Sequence, residues 1–421
     1  MHQAVIATLK NIKPINGADK IVQADVDVNG TLIAHVIVGT ASKDDDIGIY
    51  FGSDLQLSEE YCTANDLIAR FNEEGKKIGG GYLDHRRRIT AQRFKGVRSE
   101  GLFMPLSSLD FSGAVYTYEV GTMLNSINGV ELCKKYFNPK TATIRSATIT
   151  RRRVEAPTFY EHVNTKQLIY YLNTIPSGAK ITITEKLHGT SQRVGNVLIR
   201  KNLNWFQRLV NRMWPIFPYY DYDIVHGTRR VIIAEGKEGF HGKEDFRFHA
   251  VGYPDLEQDV IIYGEIVGYA NNKSIMLRHD TASLKEVKKV FGETITYDYG
   301  ELEDCCRFYV YRVTKSGKDL SWEEVCEVAK NYGYDTVPLI DRFDYNGNKE
   351  ELLNKVRDIT ESNNNVWSRS LLCYNHIMEG VVLRIDHEDS TTYLKYKSYA
   401  FRVLEGITQA NDEVVDMEEV A

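Results

Sequence analysis

The chain has 421 residues, of which 43% are hydrophobic and 26% charged, and a net charge of −6. This composition belongs to a globular protein and excludes a largely disordered chain, a collagen-like chain and a coiled-coil rod. The length implies two or three domains. No stretch approaches the roughly 20 uncharged apolar residues that span a bilayer. The N-terminus lacks the basic and apolar regions of a signal peptide. The six cysteines show no paired metal-ligand spacing, and Cys305 and Cys306 are adjacent, so they read as reduced thiols. The expectation is a cytoplasmic protein with no membrane partner.

The net charge hides an uneven distribution. Glu405 to Ala421 hold six acids and no base, and the remainder is neutral. His85 to Arg98 carry Arg86, Arg87, Arg88, Arg93, Lys95 and Arg98 without an acid, and Arg145 with Arg151 to Arg153 forms a second cluster. Such patches either track a phosphate backbone or form a solvated strand face.

In chain order, short β-branched runs predict strands at Gln3–Leu9, Lys20–Val28, Thr31–Val38 and Ile47–Tyr50, with Asn29-Gly30 as a hairpin turn. A further strand is expected over Arg88–Phe94, after a flexible Gly79-Gly80-Gly81 loop. Residues 1–145 therefore suit a small β-barrel, for which the OB-fold is a candidate. Pro139, the threonines and arginines that follow, and Pro157 mark a linker over 146–157.

From 158 to 403 helical and strand patterns alternate. Thr165–Asn173 has helical spacing and is stopped by Pro176 and Gly178. Ile181 and Ile183 begin a strand, and Gly195-Asn196 between Val194 and Val197 reads as a hairpin turn. Strands are expected at Val260–Ile266, Phe308–Val313, Gly380–Ile385 and Thr391–Tyr396, and helices at Lys285–Val290 and Trp322–Asn331. Trp205, Phe206, Leu209, Val210 and Met213 recur at helical spacing with Arg208 and Arg212 between them, which predicts an amphipathic helix packed on the domain, the alternative being a segment that touches RNA or a membrane surface. Residues 404–421 read as a solvated acidic tail.

The chemistry lies in five segments. Glu185-Lys186-Leu187-His188-Gly189 places a lysine at a strand end before a turn, where glycine permits a close backbone approach. Tyr263-Gly264-Glu265 ends one apolar strand with a carboxylate, and Glu379-Gly380-Val381-Val382 opens another. Arg307 to Arg312 form an aromatic strand with Tyr309 and Tyr311 on one face. Lys395-Tyr396-Lys397 puts two lysines on one strand face. Three lysines and two carboxylates in a half-buried sheet suit a polyanion and a metal ion.

Taken in order, these segments resemble the motif series of the covalent nucleotidyltransferases, which include DNA ligases, RNA ligases and capping enzymes. Within that group the chain is most similar to nick-sealing RNA ligases with an N-terminal OB domain, the Naegleria type. His188 stands where DNA ligases usually have aspartate, and Ser191 where they usually have arginine. Only 24 residues follow Lys397, too few for the downstream OB domain of DNA ligases and capping enzymes.

The resemblance implies an α+β chain: an OB-like RNA-binding domain followed by a mixed α/β, ATP-grasp-like nucleotidyltransferase domain of antiparallel sheets. It makes Lys186 the nucleophile that takes AMP from ATP. AMP would pass to an RNA 5′-phosphate, which a neighbouring 3′-hydroxyl then attacks. Lys395 and Lys397 would hold phosphates. His188 would form a hydrogen bond near the ribose or phosphate. Glu185, Gly189, Arg229, Glu265, Tyr311 and Glu379 would bind the nucleotide, with Tyr311 stacked on adenine and Arg229 or Arg230 on a phosphate. Glu379 and Glu265 would face Mg2+ or Mn2+. Arg86, Arg87, Arg88, Arg93 and Lys95 would grip RNA, and a monomer is expected. The alternatives are a DNA ligase, a capping-type enzyme, or a non-catalytic OB-fold RNA-binding protein.

Overall fold

The structure is a computed structural model that describes residues 3–53, 55–113, 118–136, 155–236, 238–239, 242–361, 367–387 and 391–410. The second arginine cluster and nearly all of the expected linker lie outside the described residues.

The N-terminal part is built on one antiparallel sheet. Strands β1 (Ala4–Pro14), β2 (Ile21–Val28), β3 (Thr31–Gly39), β4 (Ile47–Gly52) and β5 (Gly101–Pro105) lie in the order β5-β4-β1-β2-β3, and Met123–Leu124 also pairs with β1. The hairpin joining β2 and β3 turns at Asn29 and Gly30, whose φ angles of 53° and 82° give the left-handed pair that a tight hairpin needs. Ile6, Ile49 and Phe51 bury one side of the sheet, while Leu9, Val26 and Val36 bury the other. Two buried sides bend the sheet, which curls into a half-barrel. The strand expected over Arg88–Phe94 is reduced to Gln92–Phe94, because Arg88 makes only an isolated bridge to Gln56.

The second part holds two larger sheets. The first has five strands, β6 (Lys166–Gln167), β7 (Lys180–Lys186), β12 (Leu339–Asp344), β13 (Gly380–Asp386) and β14 (Thr391–Lys397), in the order β6-β14-β13-β7-β12. The second is built on β8 (Thr190–Arg200), β9 (Tyr220–Gly227), β10 (Val260–Ala270) and β11 (Cys306–Lys315), in the order β9-β8-β10-β11. Pairing is antiparallel except for β6 with β14 and a two-residue strand with β11. Four helices pack around these sheets: Asp245–Val251, Lys285–Phe291, Trp322–Asn331 and Lys349–Glu361. Ser321 caps the third of them in a reciprocal box with Glu324.

Two expectations are corrected. Gly195-Asn196 is not a turn; both residues lie inside β8, where a Cβ on Gly195 would come within 2.9 Å of the Ile261 side chain. The glycine serves close strand packing, which turn statistics cannot distinguish from a bend. The chain instead reverses across 201–219, between Arg200 and its partner Tyr220. Helix α1 (Trp205–Met213) occupies that excursion, but Trp205 is 76% exposed, and Phe206, Leu209 and Met213 are also exposed. Buried Asn211 holds the excursion together by bonding the Phe217 carbonyl at 2.7 Å and N–H at 2.9 Å.

Helix α2 (Tyr399–Ala410) continues past the expected boundary at 403, and Leu404 and Glu405, read from sequence as tail, are buried. This helix meets the N-terminal sheet. Arg402 pairs with Glu100, and the Tyr399 hydroxyl donates to the Gln92 carbonyl at 2.8 Å. Arg98 joins Glu100 at 3.5 Å to Glu361 at 2.7 Å, and Arg357 donates to the Leu32 carbonyl at 2.8 Å. Burial alone would raise the Glu100 carboxyl, but the Arg98 and Arg402 guanidiniums hold it well below the usual carboxylate range.

Candidate active site

Strand register assembles the lysines. Lys186 on β7 lies opposite Gly380 on β13, and Gly380 lies opposite Lys397 on β14. Two residues along, Thr184, Val382 and Lys395 form the next row. Period-two alternation therefore puts Lys186, Lys395 and Lys397 on one face of three adjacent strands. Gly380 makes the crossing possible, since a Cβ there would collide with the Tyr396 carbonyl and come within 2.7 Å of the Lys397 Cα.

Glu379 sits at the entrance to β13 and is fully buried. Its carboxylate forms an ion pair with Lys186 Nζ at 2.8 Å and lies 3.6 Å from Lys397 Nζ and 3.8 Å from His188 Nδ1. Lys397 is closer still to Glu405 of α2, at 2.7 Å. Buried charges survive only in such paired arrangements. His188 lies behind Glu379, away from the cavity wall, with the rings of Tyr297 and Phe401 each 5.0 Å away. Its backbone N–H donates to the Tyr299 hydroxyl at 2.6 Å.

A cavity partly open to solvent lies between the two sheets. Glu185, Lys186 and Lys395 line it from the first sheet, and Ser191, Glu265 and Tyr311 from the second, with Arg229 at its wall. Glu185 is buried, and its carboxylate accepts the Leu371 N–H at 2.8 Å. Burial pushes this carboxyl up to about 7. Ser191 donates to Glu265 at 3.4 Å. Gly189 is needed because a Cβ there would lie 2.9 Å from the Glu265 side chain. Arg229 lines the cavity and donates to Asn164 at 2.9 Å, while Arg230 is exposed.

Tyr311 lines the cavity and Tyr309 does not. Pairing between β10 and β11 shifts by one residue, so that Arg312 lies opposite Tyr263 and Val310 opposite Gly264, leaving Tyr311 as the extra residue. The bulge turns Tyr311 into the cavity, where its hydroxyl bonds His162, and leaves Tyr309 in the core. Burial holds the His162 imidazole well below its ordinary value, and Arg193 and Arg229 add to this.

Sequence reasoning missed several supporting residues. Arg247 is buried and holds Thr190 Oγ1 at 2.8 Å and the Ser191 carbonyl at 3.0 Å, fixing the turn after Lys186. His162 and Glu405 were also missed. None of the three belongs to a motif; each reaches the site through tertiary packing.

Among the described residues, no three His, Cys, Asp or Glu side chains converge as a metal cage. The carboxylates that line the cavity are Glu185 and Glu265, while Glu379 is fully buried outside that lining. That set fits a hard cation that keeps most of its ligands as water and substrate phosphate, as Mg2+ does.

The basic run is dispersed. Arg87 donates to the Leu57 carbonyl at 3.2 Å, Arg88 lies over the Tyr136 ring at 4.8 Å, and Arg93 bonds Glu286 of the second part at 2.9 Å. Arg86, Arg88 and Arg93 line a groove that Ser283 and Val403 complete from the second part. Lys95 takes a turn position with φ 46°.

Comparison with known proteins gives the family and the fold. A family model described as RNA ligase matches residues 179–397, more than half of the chain. Curated proteins provide no significant match. The fold is similar to that of Naegleria gruberi RNA ligase solved with PPi, at 18% identity and TM-score 0.58, covering 98% of this chain and 100% of that one. A variant of the same enzyme solved with ATP and Mn gives 19% identity, TM-score 0.58 and coverages of 96% and 98%. Another, solved with AMP and Mn, gives 19%, 0.57, 96% and 98%. The matched residues run from the start of β7 to the end of β14 and include all three lysines; the chain belongs to the RNA ligase family.

Proposed function

We propose that the chain is an ATP-dependent ligase that seals RNA breaks bearing 3′-hydroxyl and 5′-phosphate ends, through AMP carried on Lys186. The observation that supports this most is the Lys186 amine at the cavity wall, 2.8 Å from a fully buried carboxylate and flanked by two further lysines. A lysine attacks phosphorus only as the free amine, and Glu379 Oε1 is placed to hold the proton it gives up. Lys395 and Arg229 offer cationic donors to phosphate, the arrangement that phosphoryl transfer needs. Tyr311 presents an aromatic ring from the opposite sheet for an adenine base. A divalent cation held by Glu265 or Glu379 would supply charge neutralisation at the phosphates. Arg86, Arg87 and Lys95 of the N-terminal domain would contact the RNA backbone.

The test is intact-protein mass spectrometry after incubation with ATP and Mg2+ or Mn2+. The expected result is a gain of one AMP mapped to Lys186 and lost in Lys186→Ala. No adduct, or one on another side chain, overturns the reading. A gain with GTP in place of ATP would indicate capping-type chemistry.

A further inference from the structure

Lys397 is not positioned by the catalytic sheet alone. Its amine lies 2.7 Å from Glu405 on α2, against 3.6 Å from Glu379. The helix starts two residues after Lys397 and is tied to the site at its first turn. The Ser398 N–H donates to the Glu379 carbonyl at 2.8 Å, and the Ser398 hydroxyl donates to the Met378 carbonyl at 2.9 Å. One turn on, Arg402 and Glu405 stand three residues apart and so share a side of the helix. Glu405 reaches Lys397, while Arg402 reaches Glu100 in the other domain. Glu100 is 2% exposed and is itself held by the His35 N–H at 2.9 Å. Two charge-assisted contacts on one helical turn thus tie the N-terminal sheet to the lysine beside Glu379.

From this chain of contacts we infer that the N-terminal domain positions Lys397 for nucleotidyl transfer through α2, with Glu100, Arg402 and Glu405 as positioning residues. The inference rests on the proposed activity, and it assigns the domain a role in the AMP step that precedes any RNA contact. Displacing a phosphate-holding cation by about 1 Å can cost on the order of a hundredfold in rate. A domain serving only to grip RNA would leave that step untouched.

The test compares Glu100→Gln, Glu405→Gln and the double variant by single-turnover lysyl-AMP formation in the absence of RNA. Each single variant should slow the step about tenfold at saturating ATP. The ATP concentration for half-maximal rate should change less than twofold. The double variant should be no slower than the slower single one, because both cut one chain of contacts. Glu100→Asp, which keeps the charge, should recover part of the rate. A wild-type rate in Glu100→Gln, or slowing that multiplies in the double variant, overturns the inference. Hydrogen exchange supplies a readout that needs no activity. In folded Glu100→Gln, faster exchange should extend from 97–105 into 391–406. Exchange changes confined to 97–105 overturn the inference even if wild-type protein proves unable to take AMP, an outcome that would separately defeat the proposed function.

Discussion

The basic run at 86–98 and the lysine cluster at 186, 395 and 397 are cationic regions built in opposite ways. The run is continuous in sequence but spread out in space: its side chains turn to a carbonyl, an aromatic ring and acids of the second part. Lys186 lies about two hundred residues before Lys395 and Lys397 in sequence, yet the three share one strand face, and Lys186 and Lys397 meet at a fully buried carboxylate. Sequence proximity sets local charge, whereas sheet register sets the field a ligand meets. A cation with a buried acid partner is held in place, while an exposed one mainly contributes screened, long-range attraction.

This contrast orders the experiments. Lys186→Ala should abolish covalent AMP completely, as read by mass spectrometry, while thermal melting still shows a folded protein. Glu379→Gln removes the carboxylate shared by Lys186 and Lys397; sealing of a nicked duplex should fall by about 10² or more. If that loss is under tenfold, the buried carboxylate is not the organising group. Charge reversal at Arg86 should weaken RNA binding and flatten its salt dependence while leaving lysyl-AMP formation intact. Unchanged affinity across a salt series would remove the run from the RNA surface.

The fourth experiment reads pH. Glu185 has its carboxyl raised to about 7 by burial, from an ordinary value of 4.5. Between these values the folded state binds the proton and the unfolded state does not, so this group's contribution to stability falls as pH rises through that window. Above pH 7 the buried carboxylate is a fixed cost. Glu185→Gln should therefore raise the melting temperature relative to wild type most at pH 8 and least at pH 4.5. An equal difference at both ends would show that desolvation does not govern this group. The smallest effect is expected at α1. Trp205→Ala should change stability by less than about 0.5 kcal/mol in denaturant melts, because the ring is exposed. A loss of about 3 kcal/mol, typical of a buried tryptophan, would mean that the helix packs against the domain in solution.

Much of the fold was legible because its elements carry strong local signals. Asn29-Gly30 marked its hairpin, the capped helix Trp322–Asn331 matched its expected limits, and the apolar strands at 260, 308, 380 and 391 fell where β-branched runs placed them. The misreadings share one cause. Gly195-Asn196 carries a turn signature that neighbouring strand Ile261 overrides, and the bulge that makes Tyr311 an unpaired extra residue of β11 interrupts what strand period alone reads as a regular strand. A register shift lies in the pairing of two strands and leaves no mark in either one alone.

By itself the sequence determined the order of the motifs, the lysine and carboxylate inventory, and the alternation that puts Lys395 and Lys397 on one face, because these follow from covalent order and strand period. Only the tertiary structure decided that Glu379 is the acid between Lys186 and Lys397, that Tyr311 rather than Tyr309 enters the cavity, and that Glu405 belongs to the site. Those facts depend on how separate strands and a helix register against each other, and buried charge partners are chosen by packing across hundreds of residues rather than by neighbours in the chain.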